Sequence, residues 1–284
     1  MGMAIGAPME HVRSVARGAS PWVNVLARVG FASRAVLSCT IGVLAALAAL
    51  GEHGGKTTDS KGALRALHQQ PFGQVLLAIV AVGLFGYALW LFVQAMIDPE
   101  RPARPRLPRA FMRIGWFATG VLHVALGIYA VGLVTGVALG SNADGTKSWT
   151  AKLMGWDGVG IALVAGLGAI VIGVAVSDLY KAVKAKLDER LDFSRLGRST
   201  RKVVVDIARF GLASRAVVFA LIGSFLIVAA KRTNPHEAKS LGEALATIRG
   251  WTFGWVLLAI VAIGFVAYGV YQLVEARYRR IRAA

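Results

Sequence analysis

The sequence predicts an all-α polytopic membrane protein: six transmembrane helices, arranged as three tandem helical hairpins with pseudo-threefold symmetry about the membrane normal. Three observations predict it. The 284 residues are 56% hydrophobic, with a mean hydropathy of +0.60. The apolar residues gather into six runs of 19 to 26 residues, against the roughly 20 that span about 30 Å of hydrocarbon at 1.5 Å per residue. Residues 27–95 also overlie 208–276 without a gap, at a constant offset of 181. A repeat of that length sets the architecture before any other feature does.

The runs read in order as six spans. Val29–Leu50 holds one charge, Arg34, and Phe72–Ile97 holds none. Ile114–Leu139 carries only the titratable His123. Val159–Ser177 and Trp251–Val274 are uncharged, and Phe210–Ala230 holds Arg215. Long, unbroken runs of Ala, Gly and Leu exclude the alternating ten-residue strands of a membrane barrel. Helices satisfy their own backbone groups where water is absent.

The repeat is explicit in Ala27-Arg28-Val29-Gly30-Phe31-Ala32-Ser33-Arg34-Ala35-Val36, which returns as Ala208-Arg209-Phe210-Gly211-Leu212-Ala213-Ser214-Arg215-Ala216-Val217, and in Phe72-Gly73, which returns as Phe253-Gly254. A degenerate middle copy follows the same pattern. Arg113, Gly115 and Gly127 answer Arg28, Gly30 and Gly42, and Gly160 and Gly173 answer Gly73 and Gly86. Thr119 stands where the other copies have arginine. Two spans per copy give all copies one orientation, so the axis lies along the membrane normal and the repeats are not inverted.

These features divide the chain into a cytoplasmic lead (1–26), repeat one (27–97), a Pro/Arg linker (98–111), repeat two (112–182), a charged linker (183–207), repeat three (208–278) and a basic tail (279–284). Pro99, Pro102, Pro105 and Pro108 recur every third residue, the period of a polyproline II spacer. The second linker is expected to begin as a cytoplasmic extension of the fourth span. Ser60–Gln70 and Lys239–Arg249 read as short amphipathic helices at the outer interface. The lead has no apolar core followed by a small-residue cleavage site, so the first span is expected to direct insertion.

A formal charge of +17 invites a nucleic-acid reading, but its distribution argues against one. Outside the spans, 21 Lys and Arg lie on the side of the termini and 9 on the other. This is the positive-inside asymmetry, which predicts a bacterial inner-membrane protein with cytoplasmic N- and C-termini. The lipid bilayer and anionic headgroups are the expected partners, with Arg277, Arg279, Arg280 and Arg282 as candidate headgroup contacts. A membrane-protein partner or a second copy of the chain stays open. No nucleic-acid recognition motif is present.

Arg34 and Arg215 are the sharpest candidate site residues, because charge within a span costs about 2.5–3.5 kcal/mol at the helix centre and is normally paired or hydrated. They fit a cationic site near the axis for an anionic substrate or headgroup. They equally fit structural roles, snorkelling to the interface or pairing with Asp98, Asp178 or Glu275. Thr119 and His123 complete the intramembrane polar set, His123 as a proton relay or as an interhelical hydrogen-bonding group. Gly132, Gly136 and Gly140 fall at intervals of four, a pattern for close helix contact. Trp90, Trp116, Trp149, Trp156, Trp251 and Trp255 lie near span ends, as in an interfacial belt.

Catalytic constellations are missing. The chain has no phosphate-binding Gly-x-x-x-x-Gly-Lys-Ser/Thr loop, no His-Glu-x-x-His and no Gly-x-Ser-x-Gly. Cys39 is the one cysteine, which excludes an intrachain disulfide and a thiolate metal cluster. No enzyme activity, metal or cofactor is expected. Three two-span units also invite comparison with the mitochondrial carriers, but their Pro-x-acidic-x-x-basic bend is absent from the odd spans.

Gly-Leu-Ala-Ser-Arg-Ala-Val-Val-Phe at 211–219, Phe-Gly-Trp-Val-Leu-Leu-Ala at 253–259 and Glu-Ala-Arg-Tyr-Arg-Arg at 275–280 resemble the DUF1206 family of bacterial, largely actinobacterial, membrane proteins. The resemblance covers about 27–280. It implies three copies of a two-span unit in a bacterial inner membrane and carries no activity, because the family's function is uncharacterised. A structural or accessory membrane protein is the leading expectation. The alternative is a small-solute or ion pathway with a site near Arg34, Arg215, Thr119 and His123.

Overall fold

The computed structural model describes residues 20–52, 55–97, 109–137, 145–184, 191 and 197–279. The described residues form nine α-helices and no β-strand: α1 (Ser20–Leu50), α2 (Ser60–His68), α3 (Gly73–Ile97), α4 (Arg109–Thr135), α5 (Gly145–Met154), α6 (Asp157–Lys184), α7 (Arg198–Arg232), α8 (Leu241–Arg249) and α9 (Gly254–Tyr278). Six of them, α1, α3, α4, α6, α7 and α9, are long and apolar enough to cross a membrane. They pair by sequence into three hairpins, each with a short helix between its spans.

The packing of the spans follows a cyclic rule. Within repeats one and three, α1 lies on α3 and α7 on α9. Between repeats, α3 lies on α4, α6 on α7 and α9 on α1. One contact of the full ring is missing: α4 and α6, the two spans of the middle repeat, do not pack together. The pseudo-threefold ring is therefore open along one seam, and repeat two is a hairpin in sequence without being one in packing.

Small residues explain where the ring closes. A Cβ added at Gly30 would fall on the Cβ and backbone of Tyr87, and one at Gly211 would fall on the backbone of Tyr268. On the facing helices, Gly83 and Gly264 receive the side chains of Ser33 and Ser214. Glycine at these positions lets helix backbones approach closely, the means by which helices associate in lipid. The middle copy lacks this interlock. Gly115 and Gly173 have open space where a Cβ would stand, and the residue answering Gly83 and Gly264 is Ile170, 56% exposed.

The short helices close the opposite face of the ring, each resting on the following repeat. From α2, the Arg65 guanidinium donates to the Tyr129 hydroxyl of α4 at 2.5 Å. From α5, Lys147 pairs with Glu243 of α8 at 2.6 Å. At the start of α8, a Cβ on Gly242 would meet the Thr58 Cα at 3.1 Å, so α8 abuts the segment leading into α2. Asp59 caps α2 through the Gly62 amide, and Ser240 and Glu243 form a reciprocal capping box on α8. Phe72 and Phe253, just before α3 and α9, adopt φ of 60° and 61°. Both project outward, 84% and 74% exposed.

Several boundaries move. α1 begins inside the expected lead, and α4 begins at Arg109 inside the Pro/Arg linker. The fourth span extends as expected, α6 running past Ser177 to Lys184, and the charged linker also yields an extension of the fifth span, since α7 starts at Arg198. Arg198, Arg201, Lys202 and Asp206 are compatible with a solvated helix, so charge did not end it there. α5 was not expected, because Gly145–Met154 has little amphipathic pattern. Trp90 is 2% exposed and packs with Ala27, Phe31, Tyr87 and Leu91, so it belongs to the core and not to an interfacial belt.

Candidate functional site

Around the ring, one polar side chain from each span touches the next. The His123 ring of α4 meets the Tyr87 ring of α3 edge-on, with centroids 4.8 Å apart. Tyr87 accepts from Arg34 Nη1 of α1 at 2.5 Å, and the guanidinium also lies 4.5 Å from the centre of the Tyr87 ring. Arg34 Nη2 donates to the Tyr268 hydroxyl of α9 at 3.0 Å. Arg215 Nη1 of α7 donates to the same hydroxyl at 3.0 Å and to Asp178 Oδ2 of α6 at 2.8 Å. His123, Tyr87, Arg34, Tyr268, Arg215 and Asp178 thus form an arc. Its two ends lie on the two helices that do not pack together.

The close helix approach described above builds this arc. Gly30 and Gly211 admit the Tyr87 and Tyr268 backbones, which brings each hydroxyl to the arginine one turn further along the odd span. One turn beyond the arginine, Gln272 Nε2 donates to Ser38 Oγ at 2.8 Å and joins α9 to α1 a second time. His123 Nδ1 lies 2.7 Å from the Thr119 carbonyl. A carbonyl can only accept, so Nδ1 carries a proton, and in the neutral ring Nε2 is the acceptor. Thr119 bonds its own helix through the Gly115 carbonyl at 2.7 Å.

Charge along the arc is unequal. Asp178 is 1% exposed and is shared between Arg215 and Lys181, the latter at 3.0 Å. Arg34 has no carboxylate partner among the described residues; its hydrogen bonds go to two neutral hydroxyls. Glu275, a candidate counter-charge for the arginines, instead pairs with Arg279 at 3.0 Å, because the two lie one turn apart at the end of α9.

The other candidates separate from the arc. Arg279 folds back over the Phe31 ring at 4.9 Å with its side chain 13% exposed, so it is corrected from a headgroup contact to a packing residue. Arg277 is exposed. Gly136 is corrected as well: α4 stops at Thr135, and Gly136 has φ of +73° in open space, so it ends the helix and packs against nothing. Gly132 lines an apolar cavity of about 260 Å³ with Phe85, Ile128, Val131, Thr135 and Val137. Asp98, Gly140, Arg280 and Arg282 lie outside the described residues. Among the described residues, no group of three or more His, Cys, Asp or Glu converges on a metal position.

Two features were missed from the sequence. Tyr87 and Tyr268 are the acceptors that hold the arginines, and their recurrence at one repeat position was the available signal. The first arginine of the repeat also has a task. Arg28 Nη1 donates to the Ala276 and Arg277 carbonyls at 2.8 and 2.6 Å, while Arg113 donates to the equivalent Ala95 and Met96 carbonyls, the latter at 2.8 Å. Each satisfies the open carbonyl end of the preceding repeat's second span.

A ring of membrane-length helices, built from copies of one hairpin and joined internally by arginine and tyrosine, defines a polytopic membrane protein. The chain belongs to the family described as Domain of Unknown Function (DUF1206), whose model matches it three times, at residues 29–98, 114–185 and 210–279. It is 28% identical over 273 residues to "Uncharacterized protein YxxB" of Bacillus subtilis (strain 168), covering 96% of this chain and 97% of that one. No solved structure matches it.

Proposed function

We propose that this protein is a structural or accessory component of the bacterial cytoplasmic membrane, with both termini in the cytoplasm, that associates with lipids or a membrane partner and moves no solute. One observation carries this reading: Arg34 and Arg215 are tied between packed helices by Tyr87, Tyr268 and Asp178, an arrangement that holds helices together. A transport pathway would need such side chains to exchange partners with a passing solute. The basic surface on the side of the termini suits an anionic leaflet.

The test is flux into liposomes containing the purified chain or the Arg34→Ala/Arg215→Ala variant. Neither is expected to exceed empty liposomes for small ions or solutes. Saturable flux through the wild type, abolished in the variant, would replace this reading with a solute pathway. Orientation is checked separately with reporters fused to the two ends of the chain, both expected to be active on the cytoplasmic side.

A further inference from the structure

The arc has more hydrogen-bond donors than acceptors. Two guanidinium groups offer ten N–H bonds between them, and hydrogen bonds to the tyrosines and Asp178 use four. Arg34 Nε and Arg215 Nε and Nη2 have no hydrogen-bond partner among the described residues, yet they are not among the side-chain nitrogens sealed away from solvent. The Tyr87 and Tyr268 hydroxyls receive these bonds and donate none to a described residue. Against all this stand Asp178, which Lys181 shares, one imidazole nitrogen, and Glu275, which reaches Arg34 only at longer range and is held by Arg279. A cation without a directly paired counter-charge at membrane depth is unfavourable. Unused donors of this kind suit an anion with several oxygens.

The seam indicates the direction of supply. The arc ends at His123 on α4 and Asp178 on α6, and these helices do not pack together. The α6 residues Ala162, Gly166, Ala169, Gly173 and Ser177 are all exposed. On α6 these small residues form a stripe beside the exposed Leu163, Leu167 and Ile170, an apolar surface along which an acyl chain can lie.

We propose that the arc binds the phosphate of an anionic phospholipid, which enters sideways through the seam between α4 and α6, with Arg34 as its principal contact and Arg215 and the two tyrosine hydroxyls completing the cradle. The inference rests on the accessory reading above and names the lipid chemistry it would serve. A free oxyanion shares the same recognition, so the test separates the two sources.

The purified full chain is incubated in detergent with phosphatidylglycerol, with phosphatidylcholine or with inorganic phosphate. Native mass spectrometry then reads adduct stoichiometry, and thermal unfolding reads stabilisation. One phosphatidylglycerol molecule per chain is expected to survive activation, with a raised Tm and a clear preference over phosphatidylcholine. Arg34→Gln is expected to weaken that adduct at least roughly tenfold, the scale of a lost charge-assisted contact. Tyr87→Phe keeps both charges and removes one hydroxyl, so it reports on the same cradle even where Arg34→Gln does not fold; a smaller weakening is expected. Retention of the tight adduct in Tyr87→Phe and in every folded arginine variant would overturn the site. Equal protection by millimolar inorganic phosphate would overturn the lipid source. Neither result touches the accessory reading, which liposome flux decides by itself.

Discussion

Tyr268 presents its hydroxyl 3.0 Å from Arg34, joining the last span to the first across 234 positions of sequence, and the same oxygen lies 3.0 Å from Arg215. Tyr268→Phe removes one acceptor and loosens two guanidinium groups, whereas Tyr87→Phe loosens one. Hydrogen bonds to charged groups contribute about 1.5–3 kcal/mol in water-soluble proteins and less between membrane helices. Unfolding in detergent is expected to show Tyr268→Phe losing about twice as much stability as Tyr87→Phe. Equal losses would mean that Tyr268 serves only one arginine.

Asp178 and Arg215 should behave as a buried pair. Removing one member strands the other charge, at about 3–5 kcal/mol, whereas replacing both with apolar residues can be neutral. Asp178→Leu is expected to lower the unfolding midpoint strongly, because it also releases Lys181. Asp178→Leu/Arg215→Leu is expected to recover most of that loss, with leucine already present at the equivalent Leu91 of repeat one. A double variant no better than the single one would refute the pairing.

Glycine positions divide by repeat. Gly30→Ala and Gly211→Ala force a Cβ into the Tyr87 and Tyr268 backbones, for about 1–3 kcal/mol of overpacking. Gly115→Ala meets nothing and replaces a poor helix former, so it is expected to be neutral or stabilising by up to about 1 kcal/mol. Thermal unfolding of the three variants checks the contrast, and a destabilised Gly115→Ala would mean that the seam closes.

The capping helix α8 responds to acid. Burial pushes the Glu243 carboxyl up, but hydrogen bonds from Lys147 and Ser240 outweigh it and hold the group below its ordinary value of 4.5. Its stabilisation is therefore present above that value and disappears as pH falls through the lower folded one. The pair is partly exposed, so the contribution is well under about 1 kcal/mol. Wild type should exceed Glu243→Gln in stability at pH 7, and the two should converge once acid has protonated the carboxyl; a constant gap would rule out the ionised pair as the cause.

Much of the fold was legible because hydropathy and repetition are local properties of a sequence. Six apolar runs, and Arg34 and Arg215 at one repeat position within two of them, could be counted without a structure. Their partners could not. Tyr268 reads in sequence as one more aromatic in an apolar run, and only packing shows that its hydroxyl serves two arginines from other helices. Asp178 and Glu275 look alike as span-end carboxylates, yet a helical turn to Arg279 captures Glu275, while Asp178 faces α7. Gly132, Gly136 and Gly140 had an interface spacing, but the helix end at Thr135 removed Gly136 from any face. The seam left a trace in Ile170, a branched residue where closure needs glycine, but its meaning depends on Ser33 and Ser214 filling that space in the other copies.

The packing of α1 against α9 bears on how the chain is made. A ribosome delivers Arg34 to the membrane long before Tyr268, so for most of synthesis the first span must wait without one of its two hydroxyl partners. The Arg28 clamp on the Ala276 and Arg277 carbonyls forms last of all. A nascent chain that stops before the sixth span therefore leaves the Arg34 guanidinium in oil with Tyr87 as its one hydroxyl partner of the two.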